Sequence, residues 1–106
     1  MATSVGYKDF VLERLSTAGE VAAKPMMGEY LLYLDGVNFG GIYDNRLLLK
    51  RTATNADCGL PEEFPYPGAK PMYAVQDLDD EESLALLVQN TARGIKNKIK
   101  KKIKKK

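Results

Sequence analysis

The sequence predicts an α+β domain in two layers: an antiparallel sheet of about five strands with N-terminal and C-terminal helices packed on it. Three observations carry this reading. Apolar residues recur at helical spacing near both ends of the chain. Between them lie short runs of strand-forming residues punctuated by Asp-Gly and Asp-Asn. The composition, 44% apolar over 106 residues with nine Gly and five Pro, suits one domain with a real core and not a disordered chain.

The first helix is expected over residues 5–18. Tyr7, Phe10, Val11, Leu15 and Ala18 fall on one face, while Lys8, Asp9, Glu13 and Arg14 fall largely on the other. Ser4 reads as its N-cap and Gly19 as the residue past its end. Residues 20–24 read as a short strand stopped by Pro25, and Glu29–Leu34 as a clearer one. Asp35-Gly36 then calls for a type I′ hairpin turn. The return strand, 37–43, places Val37, Phe39 and Gly41 on one face and Asn38, Gly40 and Ile42 on the other, with Gly40-Gly41 marking a bulge or a tight bend. Asp44-Asn45 is a second turn signal, followed by a strand over 46–50.

Residues 52–71 read as loop. Thr54 is placed to cap a short helical turn ending at Gly59, and Pro61, Pro65, Pro67 and Pro71 keep the chain irregular. A last strand near the sheet edge is expected over 72–76. The second long helix starts near residue 80. Asp79 followed by Glu82 reads as its capping pair, and Asp80, Glu81 and Glu82 complement its positive end. Leu84, Leu87, Val88 and Thr91 form its apolar stripe. Ile95, Ile99 and Ile103 extend that spacing past Gly94, which costs about 1 kcal/mol relative to Ala within a helix.

The net charge of +2 hides two unequal parts. Residues 96–106, KNKIKKKIKKK, hold eight lysines and no acid. Residues 1–95 are left with eight cations against fourteen acids, a body of about −6. The sequence therefore divides into a domain over 1–95 and a lysine-rich tail over 96–106. Polyanion contact is assigned to the tail, through Lys96, Lys98, Lys100, Lys101, Lys102, Lys104, Lys105 and Lys106. Eight phosphate contacts on duplex DNA give a log–log salt slope of roughly −7. The tail has no aromatic residue, so it offers no base-stacking surface of its own.

Catalysis is not expected. The chain has no histidine, so the usual general base and the commonest metal ligand are absent, and its one cysteine, Cys58, has no such base to activate it. The acids at 77, 79, 80, 81 and 82 lack the ligand spacing of a calcium loop, and helix capping accounts for them. No catalytic, cofactor or metal residue is therefore assigned. The first residues show no signal peptide and no run reaches membrane-spanning length, so the cytoplasm is the expected location and membrane contact is not expected.

The segment Lys24–Lys50, KPMMGEYLLYLDGVNFGGIYDNRLLLK, resembles the N-terminal domain of the TfoX/Sxy family of competence regulators. Met26 and Gly28 fit the family's opening, Tyr33-Leu34-Asp35-Gly36-Val37 its hairpin, Ile42–Asp44 its next turn and Leu47–Lys50 its next strand. The resemblance extends over residues 5–95. Met27 stands where the family usually has phenylalanine, Glu29 where it has a second glycine, and Leu48 where it has tyrosine. Longer members carry a further helical domain where this chain has its lysines. The resemblance implies an element order close to α-β-β-β-β-α-β-α and a regulatory or adaptor role in control of DNA-uptake genes. The partners expected are a protein and, through the tail, a nucleic acid. A second copy of the chain is also admitted, through an exposed edge strand. The alternative is a protein-binding module with no nucleic-acid role, its lysines serving solubility.

Overall fold

Six strands form one sheet in the order β1-β2-β3-β4-β6-β5, every neighbouring pair antiparallel. They are β1 (Val21–Met26), β2 (Glu29–Leu34), β3 (Val37–Ile42), β4 (Leu47–Leu49), β5 (Glu62–Glu63) and β6 (Met72–Val75); helices α1 (Val5–Arg14) and α2 (Glu81–Lys104) begin and end the described chain. The computed structural model describes residues 3–104, and the side chains of residues 3–98. Among the described residues no helix is long and apolar enough to cross a membrane.

The four leading strands form a meander because three tight turns, each with two central residues, fold the chain back on itself. Both central residues of each turn sit in the left-handed region: Met27 and Gly28 (φ 51° and 88°), Asp35 and Gly36 (48° and 85°), Asp44 and Asn45 (53° and 57°). That is type I′ geometry, whose twist matches the strands it joins. Asp35-Gly36 and Asp44-Asn45 were legible as turns. Met27 was not, because a left-handed methionine costs about 1 kcal/mol and gives no sequence signal.

Pro25 lies inside β1 and does not stop it. β1 is an edge strand, paired on one side only, and an edge tolerates a residue without an N–H. In β3 the register slips opposite Leu32 and Tyr33, so the chain bulges at Asn38-Phe39. The expected alternation fails there: Phe39 and Ile42 both join the core beneath the helices. Asn38 Nδ2 fills the bulge, donating to the carbonyls of Leu32 (2.8 Å) and Gly40 (3.0 Å).

One face of the sheet carries both helices. Val11, Leu15 and Ala18 meet Leu32, Leu34, Phe39, Ile42, Leu47 and Leu49, and α2 adds Leu84, Ala85, Val88 and Ala92. Each fully buried large side chain contributes about 1.5–3 kcal/mol. The opposite face holds a smaller cluster of Tyr43, Leu48 and Ala74, flanked by Met26, Leu31 and Met72.

Several expected boundaries move. Helix α1 ends at Arg14, with Ser4 capping it as expected (Tyr7 N donates to Ser4 Oγ at 3.1 Å), and residues 15–19 are turns, so Gly19 is not its C-terminal residue. Phe10 is exposed and takes no part in the core. The segment 53–58 forms turns and not a helix, and β5, unexpected between prolines, makes the sheet six-stranded. The element order is therefore α-β-β-β-β-β-β-α. Asp80, not Asp79, caps α2: Ser83 N donates to Asp80 Oδ1 at 3.1 Å and Ser83 Oγ to Asp80 Oδ2 at 2.8 Å. Residues 96–104 continue α2 without a break.

Candidate functional site

Beyond β4, the chain enters a turn held almost entirely by Asn55, a buried residue. Its Oδ1 accepts from Thr52 N (2.8 Å), and its Nδ2 donates to Lys50 O (2.9 Å) and to Thr91 Oγ1 on α2 (2.9 Å). Thr91 in turn donates to Leu87 O (2.8 Å). A second hydroxyl, on Thr54, donates to the carbonyl of Asn90. The turn is thereby fastened to the middle of α2. Gly94 completes the seam: a β-carbon there would lie 2.7 Å from Thr52 Oγ1 and closer still to Thr54 Oγ1. Only a residue without a side chain lets the helix lie this close to the turn.

This docking decides where the next helical turn falls. Lys98, four residues beyond Gly94, lines a groove of about 530 Å³ together with Lys50, Arg51 and Lys70. The four cations come from the end of β4, the loop before β6, and α2. Tyr43, Tyr66 and Met72 supply much of the remaining wall, and among the described residues no carboxylate lines it. Arg51 reaches Glu62 at 3.4 Å across the rim, a pair exposed enough to be worth little. The groove is thus a concave site of positive potential, floored by sheet and walled by the 64–71 loop.

That loop is held by Arg46. Its Nη1 meets Glu63 Oε1 at 2.7 Å, its Nη2 donates to Phe64 O at 3.2 Å, and its Nε to Tyr43 O at 3.1 Å. On the far side of the loop lies a second cleft, of about 540 Å³, lined by Glu29, Asp44, Arg46, Phe64 and Tyr66 among others. Glu29 is placed by Thr3, whose Oγ1 donates to Glu29 Oε1 at 2.7 Å, and by Asp44 N at 2.9 Å. The glycine expected at position 29 is replaced here by a carboxylate that joins the N-terminal segment to the β3–β4 turn. Burial, with Tyr66 and Glu29 nearby, pushes the Tyr43 phenol above its ordinary value, so it stays protonated.

The lysines assigned from sequence divide. Lys96 and Lys98 are exposed on α2, and Lys98 reaches the groove. Lys100, Lys101, Lys102 and Lys104 lie in α2 with side chains outside the described residues, and Lys105 and Lys106 lie outside them altogether. Lys50, Arg51 and Lys70 were missed, and positive character is not confined to the tail. Nothing in the sequence links Lys50 and Arg51 to Lys70 or to Lys98, since these positions meet only through the fold.

The remaining candidates are held in structural roles. Asp77 Oδ1 accepts from Asp79 N at 2.9 Å, Asp80 caps α2, and Glu81 pairs with Arg14 at 2.8 Å. Among the described residues no three metal-ligating side chains converge. Cys58 is half-buried in its turn.

The model of the TfoX N-terminal domain family matches residues 13–94. Among curated proteins, an uncharacterized 12.7 kDa protein in the trpE 5′ region of Spirochaeta aurantia is 37% identical over 83 residues, covering 76% of this chain and 72% of its own length.

Proposed function

This chain belongs to the TfoX N-terminal domain family, and from that premise we propose that it is a small regulatory or adaptor domain that works by contact and not by catalysis. Its protein partner is joined by a nucleic acid, held by the groove and the lysine run that continues from it. Control of DNA-uptake genes is the role that the family resemblance suggests.

The observation that carries the nucleic-acid part is the convergence of Lys50, Arg51, Lys70 and Lys98 on one groove with no carboxylate in its lining among the described residues. Like charges gathered in one groove repel one another, with Arg51 offset by Glu62 at 3.4 Å, and a polyanion relieves that repulsion while releasing its own counterions. The lysines of α2 after residue 98 continue the positive charge along the helix axis. The contact reading is supported by the residue types available, since the chain has no histidine to act as the usual general base.

The test is a fluorescence-anisotropy titration of labelled nucleic acid at low and at physiological salt. The expected result is binding that weakens steeply with salt. Replacing Lys50 and Lys70 together by Gln is expected to make the log–log slope shallower by about 1.8 on duplex DNA. Binding that is absent, or indifferent to salt, would leave only a protein-binding module.

A further inference from the structure

We propose that the groove selects single-stranded nucleic acid, with phosphates held by Lys50, Lys70 and Lys98 and a base stacked on the ring of Tyr66; this rests on the nucleic-acid reading above. Tyr66 is the residue that decides it. The residue is 57% exposed although it belongs to the wall of a groove. It also lines the second cleft, so it stands as the ridge between two basins of opposite character.

On one side of that ridge are four cations, of which Arg51 meets Glu62 at 3.4 Å. On the other are the carboxylates of Glu29 and Asp44, the ring of Phe64, the loop prolines and Arg46, whose charge is offset by Glu63 at 2.7 Å. A phosphodiester backbone is drawn to the first basin and repelled from the second. A base projecting from that backbone meets the Tyr66 face, and the apolar, acid-edged cleft beyond accepts an uncharged heterocycle but not a phosphate. A duplex keeps its bases stacked on one another and presents phosphates and base edges but no free base face, so it gains the charge contacts and not the stacking.

The platform is rigid before anything binds. Pro65 and Pro67 fix φ on either side of Tyr66, Ala69 N closes a turn onto Tyr66 O at 3.1 Å, and Arg46 holds the preceding carbonyl of Phe64. A ring presented in this way loses little freedom on binding. The aromatic surface that the lysine run lacks is thus supplied by a loop some thirty residues upstream.

The experiment uses the full chain with a labelled oligodeoxythymidylate, the matching oligouridylate and a duplex of the same length. Either single strand is expected to bind more tightly than the duplex at equal salt, and the pair of single strands tells DNA from RNA. Tyr66→Ala is expected to weaken single-strand binding on the order of tenfold, to leave duplex binding and both salt slopes unchanged, and to be restored by Tyr66→Phe. Thermal unfolding of each variant confirms that the fold is kept. If the duplex binds as well as the single strands, or Tyr66→Ala binds like the parent, the single-strand proposal falls while the nucleic-acid reading stands. If neither form binds, both fall.

Discussion

Asn55 and Thr91, thirty-six positions apart, are joined by a 2.9 Å hydrogen bond in an interior site where neither side chain meets solvent appreciably. The bond joins the turn after β4 to the centre of α2, and so ties the helix that carries Lys98 to the chain just beyond Lys50 and Arg51. Asn55→Ala leaves Thr52 N–H and Lys50 C=O without their partners. A loss of about 2–3 kcal/mol is expected, against about 1 kcal/mol for Thr91→Val, which removes one hydroxyl of similar shape. Urea denaturation of both variants measures this.

Gly94→Ala distinguishes packing from propensity. Helix propensity alone favours alanine by about 1 kcal/mol. The structure puts the added methyl against Thr52 and Thr54 hydroxyls that are hydrogen-bonded to each other and to α2. Overpacking of this kind costs about 1–3 kcal/mol, so the variant is expected to be less stable than the parent. A raised denaturation midpoint would refute the seam described for α2.

Gly40→Ala meets a harder obstacle. Its β-carbon would fall on the carbonyl oxygen of Leu48 and 3.0 Å from the Cα of Leu49, in the backbone of the neighbouring strand. A strand held in a sheet cannot yield as a side chain does. A destabilisation of about 3 kcal/mol or more is expected, seen as loss of the cooperative thermal transition or a large drop in its midpoint.

The cap of α2 sets an acid limit. The backbone N–H of Ser83, then its hydroxyl, hold the Asp80 carboxyl below its ordinary 3.8. The folded chain therefore takes up that proton less readily than the unfolded one. The cap's contribution is complete above the ordinary carboxylate value and is lost as pH falls through the lower, folded-state value. Asp80→Asn still accepts the Ser83 N–H at any pH. Its thermal midpoint is expected to stay near the parent's at neutrality and to fall less in acid.

The sequence was most informative where local chemistry has few solutions. Asp35-Gly36 and Asp44-Asn45 declared their turns, and Ser4 its cap, because each places a particular residue type in a particular backbone state. Pro25 misled because its effect depends on being at an edge, which only strand order reveals. Phe39 and Ile42 were expected on opposite faces and share one, because the bulge at Asn38-Phe39 shifts the alternation. Gly94 was read as a propensity cost, since its real partner, Thr54, lies forty residues away. The groove was half legible: Lys98 stood out in its run, whereas Lys50, Arg51, Lys70 and Tyr66 gain meaning only when the sheet brings them together.

The placement of Pro25 reaches beyond its own strand. The outer margin of β1 carries a residue with no amide proton beside the exposed charge of Lys24, a poor template for an incoming strand. The opposite margin, β5, offers only two residues, both acidic. The sheet is therefore blunted at both ends against growth by strand addition. That disfavours fibrous self-assembly by strand addition.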